Sequence, residues 1–74
     1  MDDQVLSVER LGRFVREARK AQGLTQEDLA GITGTGRRFI GELENGKETV
    51  QIGKILNVLS ALGVSLTASS QWKT

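Results

Sequence analysis

At 74 residues, with no cysteine, histidine or tyrosine, the chain has room for one domain and lacks the side chains that build disulfides, zinc sites and the commonest acid–base centres. A domain this small hides about 60% of its unfolded surface, so without a covalent or metal staple, association with a second copy is the expected source of extra stability. Formal net charge is only +1, from ten basic and nine acidic residues, so a nucleic-acid partner can be argued only from where the charges fall.

Helical apolar spacing recurs in four segments, each running into a glycine. In the first, Leu11, Phe14, Val15 and Ala18 stand at i, i+3, i+4 and i+7 behind Ser7, a good N-cap, and Gly23 ends the run. This predicts a helix over about Val8 to Gln22. The second begins at Thr25, whose hydroxyl can accept from the backbone three residues on while Asp28 reciprocates; Leu29, Ala30 and Ile32 are expected to face inward until Gly34. The third follows a very short connection, with Gly36 at the N-cap position, Ile40 and Leu43 on the buried side and Asn45-Gly46 as the stop. The fourth is expected to start after Thr49, read as its N-cap, and carries Ile52, Ile55, Leu56, Val58, Leu59 and Leu62 before Gly63. Its apolar stripe is wide enough to face two surfaces, the second a candidate contact with a partner subunit. Beyond Gly63, Val64, Leu66 and Ala68 alternate with Ser65, Thr67 and Ser69, the period-2 pattern of a strand. A lone strand is not stable, and pairing with its own copy across a two-fold axis is the simplest arrangement.

The most apolar stretch, Ile52 to Leu66, is shorter than the roughly 20 residues that span a bilayer and is interrupted by Lys54, Asn57 and Ser60, so no membrane anchor is expected. The acidic start Met1-Asp2-Asp3-Gln4 is unlike a secretory leader, and with zero cysteine it predicts a cytoplasmic protein. No enzyme, metal or cofactor is expected. The acidic pair Asp2-Asp3 lies at a terminus expected to fray, and Gly34-x-Gly36 lacks the third glycine and preceding strand of a dinucleotide cradle.

A short helix, a three- to four-residue turn containing glycine and a second short helix form the pattern of a helix-turn-helix unit. A helix presented by such a turn can enter the major groove, where arginine donates two parallel hydrogen bonds to guanine O6 and N7. Arg37 and Arg38 lie in that helix's first turn, where the helix dipole disfavours positive charge by about 0.3 to 1 kcal/mol each. A local rule broken at adjacent positions points to function; the plainer alternative is two solvated arginines.

The stretch Gly23-Leu24-Thr25-Gln26-Glu27-Asp28-Leu29-Ala30, then Gly34, Ile40 and Leu43-Glu44-Asn45-Gly46-Lys47, resembles the signature of the phage-repressor-like, Xre-type helix-turn-helix family. With its fourth helix, strand and tail, the chain is more specifically similar to HipB-type antitoxins. The resemblance implies an all-α, four- or five-helix DNA-binding domain over residues 7–63. It also implies a tail over 64–74, holding a short C-terminal β-strand for dimerisation and a partner-binding segment. It implies a homodimeric repressor that binds a palindromic double-stranded DNA operator and, as an antitoxin, a HipA-like kinase toxin. A stand-alone regulator with no toxin, or an interaction module that has lost DNA binding, are the alternatives.

Carried over residue by residue, the resemblance puts Thr35, Gly36, Arg37, Arg38 and Gly41 against the groove, with base contact chiefly from Arg37 and Arg38. Gly36 and Gly41 would let the backbone come close, although tight packing against the second helix is an equal explanation for Gly41. Gln26 would hold a phosphate through its side chain and exposed backbone N–H groups; Thr25 shares that site or serves only as a cap. Lys47 resembles a second phosphate clamp or is a solvated lysine. Arg19 and Glu44 match positions that form a partly buried ion pair between the first helix and the end of the third. Thr33 and Thr35 stand where the family prefers apolar residues, and Gly36 replaces a common serine cap, so a less rigid start to the third helix is expected. Phe39 either touches a thymine methyl or packs beside Leu43, the reading its spacing favours. Arg10, Arg13, Arg16 and Lys20, among acidic neighbours such as Glu9 and Glu17, read as a solvated face. Trp72, in a tail of small polar residues, is a candidate partner contact that in HipB-type antitoxins engages the toxin; the alternative is a side chain folded back on the body or disordered.

Overall fold

Ser7 stands extended ahead of the first helix, and its hydroxyl accepts from the Arg10 backbone N–H at 3.2 Å, which starts α1 (Val8–Ala21) where the sequence places it. The computed structural model describes residues 7–72. Three helices follow: α2 (Gln26–Thr33), α3 (Arg37–Glu44) and α4 (Ile52–Ala61). Among the described residues there are thus four helices, each followed by a positive-φ glycine as expected.

The buried core draws Leu11 and Val15 from α1, Leu29 and Ala30 from α2, Ile40 and Leu43 from α3, and Ile55, Val58 and Leu59 from α4 with Leu62 just beyond it. Each large side chain fully withdrawn from water contributes about 1.5 to 3 kcal/mol. The third helix packs against both α1 and α2, and α4 packs against α2, so α3 is gripped from two sides and has one face left over. Phe39 packs partly buried against this core, the role its spacing with Leu43 predicts, and Lys54 of α4 lies 5.6 Å above its ring.

The approach of α1 to α3 depends on Gly12, a contact that sequence reasoning missed. A Cβ built on Gly12 would overlap the carbonyl oxygen of Leu43 and crowd that of Glu44. A methyl group there would force the two helices apart.

The structure corrects three expectations. The N-cap of α4 is Gln51, with no side-chain cap bond, rather than Thr49. A turn closed by the Val50 N–H on the Lys47 carbonyl at 3.4 Å draws Val50 against the core and delays the helix by two residues. Ile32, expected to face inward, is 61% exposed, because it lies about 110° from the line bisecting Leu29 and Ala30. Finally, residues 64–70 form no strand: Val64 closes the end of α4 by donating to the Leu59 carbonyl at 2.9 Å, and among the described residues no strand pairs with this segment. The acidic pair Asp2-Asp3 and the last residues of the tail, 73–74, lie outside the described residues.

Gly12→Ala is expected to lower the urea midpoint by the equivalent of about 1 to 3 kcal/mol, the usual cost of overpacking. An unchanged midpoint would mean that α1 and α3 are not held at this separation.

Candidate nucleic-acid interface

The turn between α2 and α3 is built from backbone first. Gly34 ends α2 in the left-handed region (φ 70, ψ 17), its N–H on the Ala30 carbonyl at 2.8 Å. Gly36 precedes α3 at φ 86, ψ 147, a conformation close to one that glycine alone adopts without strain. Between them the two threonines take up the turn's polar demands. Thr33 Oγ1 reaches the Leu29 carbonyl at 2.9 Å and Thr35 Oγ1 at 2.8 Å, while Asn57 of α4 donates to the Thr33 carbonyl at 2.9 Å. A hydroxyl pair and an amide brace thus hold the turn at the positions where the sequence predicts a less rigid start to the third helix.

At the other end of α2, the Thr25 hydroxyl accepts from the Asp28 N–H at 3.0 Å and the Thr25 N–H donates to Asp28 Oδ2 at 2.9 Å, the reciprocal cap that the sequence predicts. Those bonds to Thr25 hold the Asp28 carboxyl below its ordinary value. Gln26 is tied inward as well, its amide donating to Glu44 Oε1 at 3.1 Å.

Glu44 is the centre of this arrangement. Arg19 donates to it twice, from Nε at 2.7 Å and Nη2 at 3.0 Å, and spends Nη1 on the Leu24 carbonyl at 2.8 Å. The ion pair expected between α1 and α3 is present and buried, with no buried side-chain polar atom lacking a partner among the described residues. Burial by itself would raise the Glu44 pKa, but the hydrogen bonds from Arg19 and Gln26 and the nearby Arg19 and Arg16 charges outweigh it and leave the carboxyl below its ordinary value. The bond to Glu44 outweighs burial for Arg19 and raises it.

On this frame Thr25, Gln26 and Arg37 come together. With Arg19, Leu24 and Glu27 they line a shallow, open hollow of about 410 Å³ between the start of α2 and the first turn of α3. Arg37 is exposed, and among the described residues no ion pair engages it. Arg38 and Lys47 meet instead at Glu42, which sequence reasoning missed: its Oε2 lies 3.3 Å from Arg38 Nε and 2.9 Å from Lys47 Nζ. The i, i+4 spacing of Arg38 and Glu42 was the available signal. The Lys47 hydrogen bond is the main cause of a lowered Glu42 pKa.

Gly41 lies between these two groups. A Cβ there would meet nothing nearer than Gln26 Oε1 at 4.0 Å, so tight packing against α2 does not explain the glycine. Of the five basic residues of α1, Arg19 is buried in its pair with Glu44, whereas Arg10, Arg13, Arg16 and Lys20 are exposed as expected, and Arg13 is 3.8 Å from Glu9. Trp72 is 74% exposed and remote from the cluster in the chain; it is not folded back on the body.

Two short helices joined at a glycine turn, the second opening on two exposed arginines, define a helix-turn-helix unit. Residues 15–68 match the helix-turn-helix family, and the chain belongs to it, as an Xre-type transcriptional regulator. An uncharacterized HTH-type transcriptional regulator of Sinorhizobium fredii, y4mF, is 55% identical over 56 residues, which make up 76% of this chain and 74% of that relative. The restriction-modification controller protein C.AhdI from Aeromonas hydrophila is similar in structure with a TM-score of 0.71 and 36% identity, over 78% of this chain and 88% of its own. HipB of a HipA-HipB-O2-O3 complex has a TM-score of 0.85 over 96% of this chain and 100% of that one; at 22% identity this is a likeness of fold. Among the described residues no helix is long and apolar enough to cross a membrane.

Glu44→Ala is expected to cost about 3 to 5 kcal/mol in urea unfolding at pH 7, because it strands the buried Arg19 charge. The acid dependence follows from the lowered carboxyl: its contribution is complete above the ordinary glutamate value of 4.5 and disappears as pH falls through the lower folded-state value. Stability should thus fall on acidification below about pH 4.5, and less steeply in Glu44→Gln. Equal slopes for the two proteins would remove Glu44 as a contributor.

Proposed function

We propose that this chain is a homodimeric transcriptional repressor that binds duplex DNA through α3 and serves as the antitoxin of a toxin–antitoxin pair. The observation that carries the DNA half is the exposure of Arg37 and Arg38 on the first turn of a helix whose other faces are gripped by α1 and α2. Arg37 and Arg38 read base edges, and the Thr25 and Gln26 end of α2, with Lys47, holds phosphates through N–H groups and charge. Gly36, Thr35 and Gly41 keep that surface low, so that backbone can approach the duplex.

Dimerisation is supported by exposed apolar side chains: Ile52 and Leu56, one turn apart on α4, are 64% and 49% exposed, and Leu66 is 47% exposed. Two copies related by a two-fold would set their recognition helices about 34 Å apart, one turn of a palindromic operator. The antitoxin half rests on the HipB-type resemblance and on HipB occurring in complexes with HipA and with the O4 20mer. A HipA-like kinase is then the partner, with Trp72 as an exposed aromatic for it to hold. The protein acts by binding alone and is not an enzyme.

A stand-alone regulator without a toxin is the second reading, favoured by the S. fredii regulator and the A. hydrophila controller protein, both more similar in sequence than HipB.

A gel shift on duplex DNA from upstream of the protein's own gene tests the first half. Wild type should prefer this duplex to a scrambled one, with affinity falling steeply as salt rises, and Arg37→Ala with Arg38→Ala should abolish the preference. Equal weak binding by both proteins to both duplexes would favour an interaction module. For the second half, a HipA-like protein encoded beside the gene should be captured by wild type and lost on Trp72→Ala. Absence of capture by wild type would leave the stand-alone regulator.

A further inference from the structure

Glu42 is an acidic side chain in the middle of a surface proposed to meet phosphates. It is only 29% exposed, whereas Arg38 beside it is 90% exposed, and one oxygen, Oε2, takes both cations. Arg38 is engaged through Nε alone, which leaves the two terminal nitrogens of the guanidinium, the pair that can fork onto guanine O6 and N7, free of this contact. Lys47 is drawn from beyond the end of α3 to the face on which Arg38 stands.

From this geometry we infer that Glu42 is a specificity-determining residue: its carboxylate positions Arg38 and Lys47 and suppresses their attraction to DNA of the wrong sequence. The inference rests on the DNA-binding reading above. It deepens that reading by giving a role to a residue that touches the duplex through others.

The physical case is an exchange. A cation that leaves Glu42 for a phosphate abandons a carboxylate near the polyanion, and that carboxylate must take up a solution cation. Binding that breaks the pairs therefore releases fewer ions overall than the number of phosphates met would suggest. A random duplex offers phosphates but no guanine edge in register with Arg38, so it bears this cost without return. The correct duplex offers a guanine edge to an arginine already held in place, so Glu42 can keep its partners while Arg38 reads. With a net charge of only +1, one carboxylate among the few cations of this face is a large fraction of its field.

Glu42→Gln tests the inference, because it keeps size and a hydrogen-bond acceptor and removes the charge. Binding is measured by fluorescence anisotropy between 50 and 200 mM salt, a range over which phosphate contacts respond strongly, on two 20-bp duplexes. One comes from upstream of the gene and the other is its scrambled counterpart. The variant should bind the scrambled duplex roughly fivefold more tightly, the scale of a lost exposed ion pair. Its salt slope should steepen by about 1. The ratio of affinities for the two duplexes should fall by a similar factor. Adding Lys47→Gln should bring the slope back to the wild-type value, which a merely structural role for Glu42 would not do.

An unchanged slope and an unchanged ratio in Glu42→Gln, with wild type preferring the upstream duplex, would overturn the role of Glu42 and leave DNA reading intact. Wild type with no preference and no salt dependence would overturn both. A thermal melt of each variant alongside wild type confirms that the comparison is between folded proteins.

Discussion

The architecture turns on one buried ion pair. Arg19 spends its guanidinium on Glu44 and on the Leu24 carbonyl, and Glu44 also accepts from Gln26, so α1, the lead-in to α2, the first residue of α2 and the end of α3 are joined through this one pair. A buried pair is a poor source of net stability, since the cost of drying two charges is comparable with their attraction. Its value here is directional. Apolar packing of Val15, Leu29, Ile40 and Leu43 tolerates small rotations of one helix on another, but a forked arginine does not. That fixes which side of α3 points outward.

The outward side shows how a nearly neutral protein can present positive charge. Ten basic and nine acidic residues cancel across the chain, yet the exposed first turn of α3 carries two arginines and no acid. The exposed α1 cations lie among acidic neighbours and gain little from them at the surface. Local placement, rather than total charge, decides what such a domain attracts. The acid that does stand nearby, Glu42, is bound to two of the cations rather than free.

Much of this was legible in the residues, and the exceptions have definite causes. Helix spacing and the reciprocal Thr25 and Asp28 pattern are local, so four helices and the cap of α2 could be read directly. The Arg19 and Glu44 pair, 25 residues apart, came only through family resemblance. What failed was non-local or finely phased. Gly12 looks like any helix glycine until α3 arrives against it. Thr49 is a good cap by type, but the burial of Val50 moved the helix start past it. Ile32 turns outward, and an eight-residue helix has too few turns for spacing alone to define its inner face. The alternation after Gly63 describes a strand that could form only against another run of backbone. At the interface, Arg37 and Arg38 are visible in the sequence as charges in the wrong place for a helix dipole, whereas the threonine pair and the Asn57 brace depend on how α2 and α4 pack.

Gly36 sets a limit on how this fold could be engineered. Replacing a helix-opening glycine by serine or aspartate ordinarily gains at most a few tenths of a kcal/mol from the added cap. Here the residue sits at φ 86, where any side chain brings about 1 to 3 kcal/mol of backbone strain although the space around it is empty. The strain exceeds the gain, so the usual thermostabilising substitution is closed at this position, and a hardier variant would have to draw its extra stability from a region remote from the turn.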